Sequence, residues 1–363
     1  EIENIMQAFM GIDTYIIMET LPYDGIHHID MHMKLLDEET ILMAEYPSGV
    51  ADGPQIEANL QYVVSNYNSA FGTAYKVVRI PSPPSSGGNY PDNNGYYRTY
   101  TNSVFLNNTV LVPFYREEYD TVAQRIYEEE LPGYNIVGID VDNSGTNLIS
   151  YSGAIHCITH SVGVDEPLLI QHQSLEDTNP LANYTVSANI QQNSGISSAN
   201  VYFTTDLSVG YNAPINMSNT TGNTWEANIP GTIPDGSTVF YYIEATANNG
   251  KTINRPMPAP VGYFDFKILN NTSDIQDDID MELSVFPNPA SAITCIPINV
   301  SHNTQATILL VDVLGQHTSL IFEGKLPMGE TKHFIDASQY PAGAYNIVLQ
   351  TAFGKSTQTL IIH

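Results

Sequence analysis

The chain has 363 residues, 42% of them hydrophobic and only 14% charged, with 39 acidic against 12 basic side chains and a net charge of −27. That length supports two or three domains with cores of their own, and the scarcity of Lys and Arg excludes phosphate-backbone binding as a main activity. No run of about 18 apolar residues occurs, so no membrane-spanning helix is expected, and two widely separated cysteines, Cys157 and Cys295, exclude a disulfide framework.

The chain opens at Glu1 with no start Met and no signal-peptide pattern, so its N-terminus is expected to be processed or truncated. Few Lys and many Asn, Thr and Tyr fit a bacterial surface or secreted protein. Net charge falls from −17 over residues 1–175 to −8 over 176–280 and −2 over 281–363, marking three zones.

In the first zone, Asp13–Thr20 and Ile29–Leu36 read as strands, and Thr40–Glu45 as a short buried one. Gly53–Tyr67 places Ile56, Leu60, Val63, Val64 and Tyr67 on one helical stripe, with Asp52 as a possible cap and Pro54 just inside the helix. Tyr75–Ile80 reads as a strand and Pro81–Tyr97 as a long Pro/Gly/Asn loop. Ser103–Phe105 and Thr109–Val112 flank an Asn107–Asn108 turn, a hairpin signal. Glu117–Leu131 is helical, while Asn135–Ile139 and Gly153–Thr159 read as strands. Alternation of strands with single helices makes this an α/β module.

The second zone is all β, with strands expected at Thr185–Gln191, Ser198–Thr204, Thr224–Ile229, Thr238–Ala247 and Gly262–Ile268, a spacing that suits a sandwich. Asn270–Asp280 reads as an acidic linker. The third zone is again all β, its clearest strands lying in LSVFPNP, ATILLVDVLG and GAYNIVLQT.

Three segments could carry chemistry. In His27-His28-Ile29-Asp30-Met31-His32, a strand would project His28, Asp30 and His32 from one face, about 6.5–7 Å apart. Such a pattern serves a solvated face, a metal site or a catalytic site. The second segment is Tyr100-Thr101-Asn102-Ser103, in which Asn102 is most simply a turn residue. The third, Gly153 to His160, holds Cys157. A nucleophilic Cys needs a partner that keeps it as thiolate and moves protons, which His28 could supply, and a nearby carboxylate such as Asp30 can hold a cation. The bland alternative is a buried structural Cys. His156 and His160, beside the Cys, read as structural. Asp140 to Gly145 mimics an EF-hand start, but its twelfth position is Tyr151 rather than an acid.

The segments IHHIDMHMKLLDEETILMAEYP, YTNSVFLNNTVLVPFY and LPGYNIVGIDVDNSGTNLISYSGAIHCITHSV occur in the order found in the guanidino-group-modifying deiminases. Within that group the chain resembles the bacterial peptidylarginine deiminases of the Porphyromonas type and their agmatine deiminase relatives. The resemblance covers about residues 10–170 and implies an α/β fold, a pentein-like five-bladed α/β-propeller of which the last two to three blades are present. It implies Cys157 as nucleophile, His28 as general acid/base, and Asp30 and Asn102 as substrate-binding residues, with no cofactor and no metal. A further carboxylate, together with tryptophan and arginine contacts to substrate, would lie on blades preceding Glu1. The single tryptophan, Trp225, stands in the second zone. The chain as written is therefore expected to be inactive.

Residues 176–272 resemble an immunoglobulin-like β-sandwich, 273–280 a linker, and 281–363 the C-terminal sorting domain of the type IX secretion system, through VFPNPA, VDVLG and the Gly343-Ala344-Tyr345 strand. Residues 1–175 would be the C-terminal part of the catalytic domain, followed by two all-β sandwiches. These resemblances imply a protein secreted from, or displayed on the outer membrane of, a Bacteroidetes-type bacterium. Its partners would be arginine-containing peptides or proteins and the type IX machinery, with no nucleic acid. The expected reaction turns peptidyl-arginine into citrulline and ammonia through a thiouronium intermediate. An agmatine or small-guanidine deiminase and a non-enzymatic adhesion module are the alternatives. Cys295 reads as a buried strand residue.

Overall fold

The computed structural model describes residues 2–90, 97–143, 147–151, 153–269, 281–300, 304–312, 318–327, 329–351 and 354–363. The expected linker 273–280 and part of the VDVLG segment lie outside them. The chain forms two compact units. One comprises residues 1–103, 113–115 and 140–157; the other comprises 104–112, 116–139 and 158–363.

The first unit opens with one helical turn, α1 (Ile2–Ile5). Its core is a sheet of β1 (Met33–Leu35), β2 (Thr40–Glu45) and β3 (Lys76–Pro81) in that order. The first pair is antiparallel, and β2 and β3 are parallel, joined through helix α2 (Gly53–Asn66). The apolar run of β2 is buried almost throughout: β1 and β3 flank it on both edges, and its Ile41 and Met43 pack in the α2 core. Ile56, Leu60 and Val63 of α2 meet Leu21, Met33, Ile41 and Met43 in one core. Pro54 sits in the first turn of α2, as expected. Asp52 makes no side-chain cap there; it is fully buried, and its Oδ1 accepts the Tyr23 N–H at 2.8 Å.

Four expected strands are corrected; one is LSVFPNP, of which only Leu283 lies in a strand while Phe286 makes a single bridge to Cys295. Asp13–Thr20 is irregular, because no neighbouring strand pairs with it. Its Ile16 and Met18 still pack against the α2 core, and Asn59 Nδ2 donates to Glu19 O at 2.8 Å. Ile29–Leu36 is split into a 3₁₀ turn, Ile29–Met31, and the short β1. Gly153–Thr159 is coil followed by a second 3₁₀ turn, His156–Ile158.

The hairpin of β4 (Val104–Leu106) and β5 (Thr109–Phe114) turns at Asn107, whose φ of +53° asparagine tolerates. Strand β6 (Asn135–Asp140) completes that sheet after helix α3 (Glu117–Glu130). Helix α3 buries Val122, Ala123, Ile126 and Tyr127 and carries Glu117, Glu118 and Asp120 in its first turn, where the helix dipole favours them.

Two sheets then share one core. The first holds β7 (Leu169–Gln171), β8 (Asn183–Gln191), β11 (Ser218–Thr221) and β12 (Thr224–Pro230). The second holds β9 (Ile196–Thr204), β10 (Ile215–Asn216), β13 (Thr238–Ala247), β14 (Thr252–Arg255) and β15 (Phe264–Lys267). Strict alternation along β8 sends Tyr184, Val186, Ala188 and Ile190 inward. The C-terminal region repeats this plan. Strands β16 (Met281–Leu283), β17 (Ile293–Val300) and β20 (Gly329–Asp336) form one sheet, and β18 (Thr304–Asp312), β19 (Thr318–Leu326), β21 (Gly343–Thr351) and β22 (Gly354–Ile362) form the other. Their common core includes Ile296, Ile298, Ile308, Ile347, Leu349 and Leu360. No helix of the described residues is long and apolar enough to cross a membrane.

Candidate active site

All the expected site residues fall within the first unit. Asp24, buried at 3% exposure, accepts the N–H groups of Ile26 at 3.2 Å and His27 at 2.9 Å. That carboxylate fixes a tight turn in which His27 takes a φ of +60°, a left-handed conformation costly for a side chain of its size. The turn delivers His28 to the start of the 3₁₀ segment. Bonds from Met31 N to His28 O (3.2 Å) and from His32 N to Ile29 O (3.0 Å) close that segment.

The turn corrects the expected common face of His28, Asp30 and His32. With a tight turn in place of a strand, Met31 and His32 are driven into the interior while His28 stays exposed and Asp30 half-buried. His32 is 6% exposed, and neither ring nitrogen finds a hydrogen-bond partner among the described residues. Burial holds its imidazole down to about 4, against the opposing pull of Asp30 and Asp52. The H-x-D-x-H ligand face is therefore absent.

Asp30 sits at the hub. Its backbone carbonyl accepts Thr101 Oγ1 at 2.9 Å, and Thr101 Oγ1 in turn lies 2.8 Å from Thr99 Oγ1. Asp30 Oδ2 accepts Asn102 Nδ2 at 2.8 Å and meets His156 Nδ1 at 2.6 Å. Asn102 is completely buried, and its amide orientation is determined: Oδ1 accepts the His156 N–H at 2.9 Å, so Nδ2 must face Asp30 and the thiol. Nδ2 lies 3.1 Å from Cys157 Sγ. One donor atom each from His28, Asp30 and Cys157 fall within 4.8 Å of one another.

The cysteine segment is built to admit this thiol. Ala154 and Ile155 are buried, anchoring the 3₁₀ turn that carries His156 and Cys157 outward. A Cβ on Gly153 would approach Cys157 Cβ at 3.0 Å and Sγ at 3.3 Å, so a side chain there would crowd the sulfur. Cys157 is exposed, whereas Cys295 is buried. Lys34 Nζ donates to Ser103 O at 2.8 Å; burial lowers its basicity while the Asp30 charge opposes that shift. The EF-hand-like segment has another use for its acid, since Asp142 pairs with Arg98; residues 144–146 lie outside the described residues.

The structure thus brings together His28, Asp30, Asn102 and Cys157 from three separated stretches of sequence. Two contributors were missed. His156 was read as structural, yet its ring meets the central carboxylate. Asp24 was overlooked although the Asp24-Gly25 pair is a turn signal.

Residues 1–162 match the family model of the Porphyromonas-type peptidyl-arginine deiminases, and residues 284–363 match that of the secretion system C-terminal sorting domain. A provisionally named agmatine deiminase of Marinomonas sp. (strain MWYL1) is 20% identical over 45% of this chain and 47% of its own length. One from Vibrio parahaemolyticus is 24% identical over 45% and 48%. The chain thus spans about half the length of these relatives. Among solved structures, the agmatine deiminase of C. jejuni is 23% identical over 43% of this chain and 44% of its own, with a TM-score of 0.34. A provisionally named arginine deiminase from Porphyromonas gingivalis gives 22% over 43% and 45%, with a TM-score of 0.38. The resemblance read from the motifs holds: the chain is similar over residues 1–162 to the Porphyromonas-type peptidyl-arginine deiminases and over residues 284–363 to the secretion system C-terminal sorting domains.

Proposed function

We propose that this chain carries the nucleophile-bearing part of a secreted deiminase that converts the guanidinium of peptidyl-arginine to a ureido group. The observation that carries the reading is the convergence of a thiol, a carboxylate and an imidazole on one exposed spot, with the buried Asn102 amide bridging Asp30 and Cys157. A carboxylate selects a planar cation. A thiol beside it reaches the central carbon, and the imidazole moves protons.

In this mechanism Asp30 holds guanidinium nitrogens and the Cys157 thiolate attacks the central carbon, forming a C–S bond. His28 as imidazolium protonates the departing nitrogen, the C–N bond breaks and ammonia leaves. The neutral imidazole then takes a proton from water, which adds to the thiouronium carbon. Collapse breaks the C–S bond and releases the hydroxyl proton to the departed ammonia, giving the ureido product and restoring the thiolate. Asn102 Nδ2 is placed to stabilise negative charge on sulfur between turnovers. Residues 1–175 would then be part of a five-bladed propeller, 176–272 an immunoglobulin-like sandwich, and 281–363 a type IX export signal. Peptide substrates are proposed over agmatine because the export and sandwich regions suit an extracellular protein substrate.

The test needs no complete turnover. Chloroacetamidine presents a cation shaped like guanidinium beside an alkylating carbon, whereas chloroacetamide is neutral. Cys157 is expected to react faster with the amidine, and Asp30→Asn to erase that preference while leaving chloroacetamide reactivity largely in place. Equal rates for the two reagents on the unaltered chain would overturn the guanidinium reading. Ureido detection on arginine peptides and agmatine, with the chain alone and joined to any coding sequence preceding it in its genome, then identifies the substrate.

A further inference from the structure

Strand β17 is buried on both faces, which a strand in a two-sheet sandwich ordinarily is not. Ile296, Ile298 and Val300 point into the C-terminal core. Ile293, Cys295 and Pro297 alternate with them on the outer face and are also buried, Cys295 completely. Their cover is helix α3, which packs directly on β17. In register across β17 and β20, Cys295 pairs with Phe334 and Pro297 with Lys332, so Lys332 shares this outer face.

A chain of charges ties helix to strand. The Lys332 side chain is only 6% exposed, and its Nζ lies 2.8 Å from Glu130, 3.2 Å from Glu129 and 3.7 Å from Glu330. Glu129 uses its other oxygen on Arg125 at 2.8 Å. The Arg125 guanidinium in turn lies over the Phe286 ring, 3.7 Å from its centre. Phe286 is bonded to Cys295 in both directions, at 3.0 and 2.7 Å. The sequence Phe286, Arg125, Glu129, Lys332, Glu130 is thus one continuous network across the contact. Its carboxylates hold Lys332 firmly in its charged form although burial alone would favour the neutral amine.

We propose that helix α3 is the docking surface for the C-terminal domain, and that this charge network is a releasable clasp with Cys295 sealed beneath it. A buried, paired lysine favours a docked state only while its partners remain; removing one leaves a desolvated charge, which costs far more than an exposed pair. An all-apolar seal would lack that conditionality. The partner that α3 fits is therefore the β17/β20 face of its own chain, and the contact opens when the charges are broken or screened. This proposal does not depend on the deiminase reading.

The two cysteines supply the test. In a Cys157→Ser background Cys295 is the only thiol, and its labelling by N-ethylmaleimide reports undocking. Hydrogen exchange in β18 and β21 reports whether the C-terminal core stays folded. Cys295 is expected to be protected in that background. Lys332→Glu should label it about tenfold faster or more while β18 and β21 remain protected, and Lys332→Glu with Glu130→Lys should restore most of the protection. If Lys332→Glu itself unfolds the C-terminal core, the pair Glu129→Gln and Glu130→Gln on the helix side replaces it. Faster labelling with an intact core then supports the clasp. Rapid labelling of the background protein, or unchanged labelling in the helix-side variant, would overturn it.

Discussion

Asn102 shows how much a single buried amide decides. It accepts from the His156 backbone and donates toward both Asp30 and Cys157, so its orientation transmits the position of the cysteine turn to the carboxylate. Hydrogen bonds to charged groups are worth about 1.5–3 kcal/mol. Asn102→Ala should therefore slow alkylation of Cys157 by neutral chloroacetamide at pH 7 by about tenfold or more, with the thiol still exposed; an unchanged rate would remove Asn102 from thiol activation. The motifs single out His28, Asp30, Asn102 and Cys157, which lie together in the structure. Their geometry was not legible, because the alternation in Ile29–Leu36 fits a strand while the backbone bonds of His28 and Ile29 close a turn. His156 was illegible for a different reason: its partner, Asp30, is 126 positions away.

Elements with a clear period were read correctly. Helices α2 and α3, the hairpin at Asn107 and the long strands of the second zone follow from apolar spacing and turn residues that act locally. Asp13–Thr20 failed because a strand exists only with a partner, which no local pattern can supply. The turn after α3 makes a different demand. Gly133 has a φ of +82°, and a Cβ there would come within 2.2 Å of the Gly262 nitrogen; a Cβ on Gly262 would meet Pro132 O at 2.6 Å. Two backbones touch, and neither can yield as a side chain could. Gly133→Ala should therefore destabilise the second unit by about 1–3 kcal/mol or more through overpacking and strain, read as a lowered denaturant midpoint for exchange in β13. No change would mean that the contact opens at little cost.

Each of the two units contains a histidine that burial keeps neutral, and this gives the whole molecule a defined response to acid. His32, against the first unit's core, and His333, on β20 with its ring 4.6 Å from that of Phe322, are both held down to about 4. The unfolded chain binds these protons near 6.5, so between about pH 6.5 and 4 it holds more protons than the folded one. Stability is therefore undiminished by them above 6.5 and falls as pH drops toward 4, by at most about 3 kcal/mol for each residue. Because the two residues lie in different compact units, the losses should be separable. Hydrogen exchange, pulsed at one fixed pH after incubation at pH 7, 6, 5 and 4.5, resolves β2 and β3 from β18 and β21. His32→Leu should flatten the acid response in β2 and β3 alone, and His333→Phe that in β18 and β21 alone. Either substitution flattening both regions together would show that the chain unfolds as one cooperative body, and the division into two units would fail as a description of its energetics.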